Sequence, residues 1–265
     1  MTRPLTSYLV CATPRSGSTL LCETLRDTGV AGNPLEFFEA VPETGVPRRP
    51  FDYLQGLDDP EALALVADPP PHEPPPHSDL RAVGNYAEHL ENVLRTGTTP
   101  NGVFGAKIMW AHLEDLGRTL GATDLHAVVD GVFGGPRFVW VRRADTVRQA
   151  VSLWRAMQTQ SWRAENATAT GEPRYSFTAL RHLVELLEAH DVAWGRFFAA
   201  ASAPVLELTY EDVDADLGGA VARTLEHIGI EAADLDALPP LRRQADERSD
   251  AWAERYARDA LAVTR

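Results

Sequence analysis

Cysteine is scarce in this sequence, with only Cys11 and Cys22 among 265 residues. Two cysteines without a recognisable spacing provide neither a disulfide framework nor a thiolate metal site, so we interpret both as buried thiols. The eight histidines lie in no H-E-x-x-H pattern and have no C-x-x-C partner, and we therefore predict no metal site. A hydrophobic fraction of 44% supports a packed core.

Basic side chains are fewer than acidic ones, at 25 against 38, and the formal net charge is −13. Such a chain is a poor candidate for binding nucleic acid or an anionic membrane surface. It has no apolar run long enough for a signal peptide or a membrane span, so we expect a cytoplasmic protein that does not insert into membranes. An anionic ligand would have to be attracted by a few local arginines and helix N-termini.

One short polar stretch, residues 13–19, joins an apolar β-type segment at 7–12 to a helical repeat of apolar residues at 20–26. The order strand, tight loop, helix places free backbone N–H groups at a helix N-terminus, where the macrodipole favours anions. Small residues in the loop let a phosphate approach the backbone. By itself the pattern is equally compatible with a loop that only caps its helix.

The side chains of this loop also suit an anion. Ser16, Ser18 and Thr19 add hydroxyl donors, and Arg15 adds a planar, permanently charged group that fits phosphate or sulfate oxygens. Gly17 is the loop's single glycine, and an arginine stands where a Walker loop has lysine. These departures argue against an ordinary ATP or GTP site.

Predicted strands and helices alternate along most of the chain, which indicates an α/β fold, a three-layer sandwich with a central parallel sheet. We predict one domain over residues 1–265, with an irregular insertion at about 42–80 whose proline-rich stretch, 69–77, is a surface loop or lid. Further strands are predicted at 103–110, 138–141 and 205–210, and helices at 86–94, 113–120, 177–198 and 217–228. Ligands of such folds bind beyond the carboxyl ends of the strands.

A second pattern follows the strand at 138–141. Arg143 comes at the end of that strand, Asp145 can cap the next helix, and Ser152 lies two turns into it on the same side as Arg148. Arg148 and Ser152 could both face a bound phosphate. The alternative is a solvated strand-end arginine and a core serine that bonds its own helix.

Together the two patterns resemble the sulfotransferase superfamily. The similarity is closest to the bacterial trehalose 2-sulfotransferases, and it runs nearly end to end, weakest at residues 42–79. Four ordered stretches carry it: 11–21 (CATPRSGSTLL), 32–38 (GNPLEFF), 105–110 (GAKIMW) and 243–250 (RQADERSD). The sequence leaves open whether the last stretch contacts nucleotide, substrate or another subunit.

The resemblance implies the donor 3′-phosphoadenosine 5′-phosphosulfate and no metal. Its 3′-phosphate would bind Arg143 and Ser152. In an in-line transfer, negative charge builds on the leaving bridging oxygen, and Arg15 would neutralise it as a catalytic residue. The phosphosulfate would bind the loop, through Pro14, Arg15, Ser16, Gly17, Ser18 and Thr19.

The same resemblance implies that Glu36 is the base, because a sugar hydroxyl is a weak nucleophile that must lose its proton. Two candidates for binding the acceptor are Glu39, one turn away if the segment is helical, and Lys107, expected at a strand end. The expected reaction is sulfuryl transfer to a hydroxyl of a trehalose-like carbohydrate. Family relatives form homodimers in which both subunits shape the acceptor site.

Asn33 and Leu35 depart from the family pattern beside the expected acceptor pocket, which leaves a glycosylated or hydroxylated natural product open as the acceptor. Two other functions remain open. One is an ATP- and Mg²⁺-dependent phosphotransferase, for which Glu211 and Asp212 are the candidate metal-binding acids. The other is a non-catalytic nucleotide-binding protein. The missing Walker lysine counts against the first, and Glu36 counts against the second.

Overall fold

The computed structural model describes residues 4–66, 73–162, 172–230 and 247–263. The chain divides into two compact units, each made of three separate stretches. The first consists of Met1–Arg48, Glu73–Arg142 and His190–Leu241, and the second of Arg49–His72, Arg143–Ala189 and Arg242–Arg265. The single domain with an insertion at about residues 42–80 stays a prediction.

Four parallel strands form a sheet in the described part of the first unit: β1 (Thr6–Ala12), β2 (Val103–Met109), β3 (Arg137–Arg142) and β4 (Val205–Thr209). Their order is β2-β1-β3-β4. Ala12, at the end of β1, pairs with Met109 on one side and with Val141 on the other. β1 is therefore flanked by a strand on each edge, as is β3, which pairs with β1 and β4. Nearly every residue of β1 and of the edge strand β2 is buried.

Ten α-helices lie within the described residues. They are α1 (Ser18–Asp27), α2 (Pro60–Leu63), α3 (Tyr86–Gly97), α4 (Trp110–Thr119), α5 (Leu125–Phe133), α6 (Thr146–Thr159), α7 (Phe177–Ala200), α8 (Tyr210–Ala215), α9 (Leu217–Ile228) and α10 (Glu247–Val263). Polar residues at their starts account for several boundaries. The side chains of Asn85, Asp124, Asp145 and Asp216 each accept a hydrogen bond from the first turn of the helix that follows.

Helices cover both faces of the sheet in the first unit. Tyr8, Val10 and Ala12 face a cluster built with α1 and α9. Leu9 and Cys11 face the opposite cluster, built with α3, α4, α5 and the residues of α7 from His190 onward. This alternation along β1 gives three layers and confirms the predicted α/β fold class.

The second unit is helical in its described residues. Apolar side chains of α2, α6, α7 and α10 form its core, and Trp154 is fully buried among them. Trp154 Nε1 donates to the carbonyl of Arg174 over 2.9 Å, so the indole's one polar group is satisfied inside the core. Trp252 and Tyr256 of α10 pack against the same cluster.

Several elements differ from the sequence prediction. α5, α8 and α10 are additional helices, and α4 begins at Trp110 rather than Leu113. β4 ends at Thr209 because that side chain caps α8. The first four residues of the stretch 69–77 lie outside the described residues, while Pro76–Ser78 forms a short 3₁₀ helix. Among the described helices, none combines the length and apolar character needed to cross a bilayer.

Candidate active site

The loop between β1 and α1 has a strained backbone. Arg15 has φ 66° and Gly17 has φ 83°, both in the left-handed region, and Arg15 is one of two described non-glycine residues there. This path leads the chain directly into α1 at Ser18. Because the N-cap residue is Gly17, it has no side chain to accept a bond from the first N–H groups of the helix. Those groups are the anion-binding feature that the sequence predicts.

Ser16 is the clearest sign of a ligand in this loop. The residue is fully buried, and its Oγ has no hydrogen-bond partner among the described residues. A buried hydroxyl without a partner costs about 1–3 kcal/mol, which an oxygen-rich anion bound in the loop would recover. Ser18 is buried beside it, at 2% exposure. The loop residues therefore fit a phosphate or sulfate group.

Two contacts from α7 hold the start of this loop. Trp194 Nε1 donates to the carbonyl of Ala12 over 3.1 Å, and Thr13 Oγ1 donates to Asp191 Oδ1 over 3.4 Å. Trp194 is fully buried, and its indole stacks on Phe198 at 5.3 Å. These contacts fix the point at which β1 turns into the loop.

Glu36 is held beside β2 by its neighbours in sequence. Leu35 forms an isolated parallel bridge with Ala106, and the N–H of Lys107 donates to the Leu35 carbonyl over 2.9 Å. Phe37 and Phe38 are buried at 1% and 3% exposure. Backbone pairing on one side and aromatic anchors on the other set the position of the carboxylate between them.

Lys107 connects Glu36 to the loop. Its Nζ lies 2.7 Å from Glu36 Oε2 and 3.0 Å from Thr19 Oγ1, and the residue is 5% exposed. Burial alone would lower the pKa of Lys107, but Glu36 and other acidic neighbours raise it above its usual value, so the side chain is cationic. The prediction of a strand-end lysine is wrong, because Lys107 lies within β2, two residues before its end.

Glu39 does not lie one helical turn from Glu36. The segment after Glu36 is a turn rather than a helix, so the helical spacing considered for these two acids is wrong. Glu39 is half-buried and interacts electrostatically with Lys107. A contribution to acceptor binding stays a prediction.

Two histidines near Glu36 carry no sequence signal that points to this site. Burial lowers the pKa of His77, and burial lowers the pKa of His112 to about 4, although Glu36 acts in the opposite direction on both. Met109 N donates to His112 Nδ1 over 3.4 Å, so the neutral ring carries its proton on Nε2. His112 is therefore an uncharged hydrogen-bond donor near the carboxylate.

Arg48 is a further cation in the first unit that the sequence does not single out. Its guanidinium bonds the buried carboxylate of Asp115, which also bonds Arg118. Burial raises the pKa of Asp115, and the two arginines act against that rise. Arg48 belongs to a segment without regular structure, and its partner Asp115 lies 67 residues away along the chain. No local sequence pattern therefore predicts this pair.

The second unit contains the other two predicted donor-binding residues. Arg143 and Ser152 are both half-buried, Arg143 before α6 and Ser152 within it. Arg148, the residue considered together with Ser152 as facing a phosphate, forms ion pairs with Asp145 at 3.5 Å and Asp250 at 3.0 Å. The preceding residue, Arg142, belongs to the first unit, where it lies 3.2 Å from Glu207 and 5.0 Å from the Trp140 ring.

The stretch at residues 243–250 is only partly described. Gln244 lies outside the described residues, as does the side chain of Arg248. Ser249 Oγ accepts from Arg155 Nη1 over 2.6 Å, and Asp250 pairs with Arg148. The last two residues of this stretch therefore bond α6 within the second unit.

The described residues hold no cluster of three or more His, Cys, Asp or Glu side chains that could bind a metal ion. Cys11 and Cys22 are both buried free thiols, which confirms their interpretation from the sequence. Burial raises the pKa of Cys22 to about 12, so this thiol is neutral beside the loop helix.

Comparison with known proteins gives a consistent result. Residues 7–259 match the Stf0 sulphotransferase family. The chain is 37% identical to a trehalose 2-sulfotransferase of Mycolicibacterium smegmatis, covering 96% of each chain, and 38% identical to one of Mycobacterium tuberculosis, covering 98% of this chain and 97% of that one. In fold it resembles the sulfotransferase domain of the curacin biosynthetic pathway, with TM-score 0.51 and 14% identity over 95% of this chain and 83% of that one.

Proposed function

This chain belongs to the Stf0 sulphotransferase family, and from that premise we propose that it moves a sulfuryl group from 3′-phosphoadenosine 5′-phosphosulfate to a carbohydrate hydroxyl. One observation carries the proposal. Glu36, a candidate base, and Thr19, in the candidate anion loop, contact the same buried lysine. A base and an anion-binding helix are the two parts that sulfuryl transfer to a hydroxyl requires.

The reaction assigns a distinct task to each part. Glu36 takes the proton of the acceptor hydroxyl as the new oxygen–sulfur bond forms. The bond between sulfur and the bridging oxygen breaks, and its electron pair stays on the 5′-phosphate. Arg15 and the N–H groups at the start of α1 stabilise that negative charge, so this chain's own residues can serve the step without a metal.

The donor contacts are proposed in two groups. Pro14, Arg15, Ser16, Gly17, Ser18 and Thr19 would bind the phosphosulfate, and the partnerless hydroxyl of Ser16 supports an oxygen-rich ligand there. Arg143 and Ser152 would bind the 3′-phosphate, as the resemblance implies. An arginine and a hydroxyl together satisfy the oxygens of a phosphate ester through charge-assisted hydrogen bonds.

The acceptor is proposed to be a trehalose-like carbohydrate, on the strength of the two relatives. Asn33 and Leu35 depart from the family pattern, and the structure shows how each is held. Asn33 Nδ2 donates to the Thr96 carbonyl over 2.8 Å, and Leu35 pairs with β2 through its backbone. If the acceptor is instead a different sugar or a hydroxylated natural product, the side chains around Glu36 would determine that choice.

The decisive experiment is a mass-spectrometric screen of the purified protein with the phosphosulfate donor. Trehalose, other disaccharides, glycolipids and non-sugar alcohols are tested for the mass gain of one sulfuryl group. We expect transfer to at least one carbohydrate, unaffected by EDTA and not replaced by phosphoryl transfer from ATP. Transfer confined to non-sugar alcohols, or activity that needs ATP and Mg²⁺, would overturn the proposal.

A further inference from the structure

The sequence contains a single lysine, and all of its other 24 basic residues are arginines. That lysine, Lys107, is buried in β2 between Glu36 and Thr19. An ammonium is a compact charge with three donors, whereas a guanidinium is a larger planar fork. The Nζ of Lys107 lies at hydrogen-bond distance from two side chains, that of Glu36, the candidate base, and that of Thr19 in the candidate anion loop.

Thr19 is oriented by this contact. Because Thr19 Oγ1 accepts from Lys107 Nζ, its own proton points away from the lysine and is available to another acceptor. Thr19 is the second residue of α1, where the free N–H groups lie. The ammonium therefore sets the Thr19 hydroxyl as a donor at the anion-binding end of the helix.

We infer that Lys107 is a positioning residue that couples the base to the anion loop, and not a residue that binds the acceptor. This inference rests on the proposed function. The ammonium keeps Glu36 ionised and fixes one of its carboxylate oxygens, while the other oxygen accepts the hydroxyl proton. After Glu36 takes that proton it is neutral, and Lys107 keeps its hydrogen bond to Thr19 of the loop.

Four other groups that interact with this pair are neutral or negative. Cys22 of α1 approaches the lysine as a neutral thiol, and Glu39 adds a negative charge. His77 and His112 interact with Glu36, and burial keeps both pKa values below the usual range, so at neutral pH these rings are largely uncharged. Removing the lysine's charge should therefore change the electrostatics of the base directly.

The first test is Lys107→Met, which keeps the length of the side chain and removes its charge. We expect kcat to fall about tenfold or more, with acceptor KM changed far less. The acid limb of the kcat profile should move to higher pH, since a nearby cation favours the ionised carboxylate. Arg26→Met is the matched control, because it removes a 41% exposed cation from α1 without touching Glu36. A wild-type kcat with an unmoved acid limb in Lys107→Met would overturn the inference.

A second test needs no activity. With one lysine in the chain, ¹⁵N-lysine labelling gives a single side-chain signal whose titration follows Lys107. Glu36→Gln should lower the pKa of this ammonium, because burial then acts without the opposing carboxylate. An unchanged titration would also overturn the inference. If the wild-type protein transfers no sulfuryl group to any carbohydrate, the proposed function fails, while this titration still tests the coupling.

Discussion

The ring of Tyr210 lies directly against Gly17: a Cβ built on Gly17 would stand 2.9 Å from Tyr210 Cδ2. Gly17 is the N-cap residue of α1 and has φ 83°, and Tyr210 begins α8 directly after β4. The Tyr210 ring therefore packs against the backbone of the loop at Gly17. Only glycine satisfies both the left-handed backbone and the close approach.

Gly17→Ala should therefore destabilise the protein and weaken donor binding. The left-handed backbone costs an alanine roughly 1–2 kcal/mol, and displacing the aromatic ring adds to it. Gly29→Ala is the matched control, because Gly29 has φ 71° but a Cβ added there would meet no atom within 4 Å. Thermal unfolding measures the loss of stability in each variant, and calorimetry with 3′-phosphoadenosine 5′-phosphate measures the loss of donor binding. Equal losses of stability in both variants would contradict a role for the Tyr210 contact.

Glu36→Gln should lower kcat by about a hundred- to ten-thousandfold, because the amide keeps the shape of the side chain but cannot accept the hydroxyl proton. Acceptor KM should move far less, since the lost interaction belongs mainly to the transition state. Glu39→Gln is the comparison: if Glu39 binds the acceptor, KM rises while kcat stays close to that of the wild type. Near-wild-type turnover of Glu36→Gln on its true acceptor would remove the base assignment.

Arg143→Ala and Ser152→Ala should weaken donor binding through the 3′-phosphate. Loss of a charge-assisted hydrogen bond costs about 1.5–3 kcal/mol, roughly ten- to a hundredfold in affinity. Calorimetry should show a lower affinity of these variants for 3′-phosphoadenosine 5′-phosphate. Their affinity for 5′-AMP, which lacks the 3′-phosphate, should stay unchanged. Arg142→Ala removes the neighbouring arginine that contacts Glu207 and Trp140, and it should leave this discrimination intact. A wild-type protein that prefers neither nucleotide would refute the assignment.

His112 should make the protein less stable in acid. The imidazole has a pKa of about 4 when folded and about 6.5 when unfolded, so the unfolded chain binds more protons between these values. Its contribution to the free energy of unfolding is complete above about pH 6.5 and falls by up to about 1.4 kcal/mol per pH unit toward pH 4. His112→Gln keeps an acceptor for the Met109 N–H and should show a shallower decline in chemical denaturation. Parallel declines in both proteins would contradict the prediction.

We expect a homodimer, which the family resemblance implies. Multi-angle light scattering at micromolar concentration should give about twice the 29.0 kDa of one chain. Dilution followed by repeated measurement of mass and activity would show whether activity depends on association. A mass of one chain at every concentration would reject the dimer.

Local sequence patterns predict the strand–loop–helix around Arg15, because small residues, an arginine and the flanking periodicities are all adjacent. For Lys107 they predict a strand end and a contact with ligand, because nothing near it in sequence shows that its partners are Glu36 and Thr19. Lys107 lies far along the chain from both Glu36 and Thr19, and local sequence patterns cannot predict contacts between such distant residues.

The sequence prediction also misses three helices, α5, α8 and α10. α8 begins at Tyr210, a residue that the prediction assigns to the preceding strand. α5 has a capping aspartate, Asp124, at its start and Gly134 with φ 76° at its end, so its boundary signals are present in the sequence. α10 carries Trp252 and Tyr256 four residues apart, a helical spacing that matches the face packed in the second unit. The signals of α5 and α10 each involve only a few residues. α10 also begins inside the stretch 243–250, which is interpreted from its similarity to the family and not from its periodicity.

The first unit is made of three stretches that are separate in sequence, so its core can form only after the last of them has been synthesised. β1 leaves the ribosome well before α9, which helps to cover the face of Tyr8, Val10 and Ala12 and ends at Ile228. Contacts between such distant residues form slowly, and an uncovered apolar strand is prone to aggregate. In a nascent chain this face of β1 therefore stays incompletely covered until α9 has been made, and chains that stop before Leu217 should be more prone to aggregate than chains that include α9.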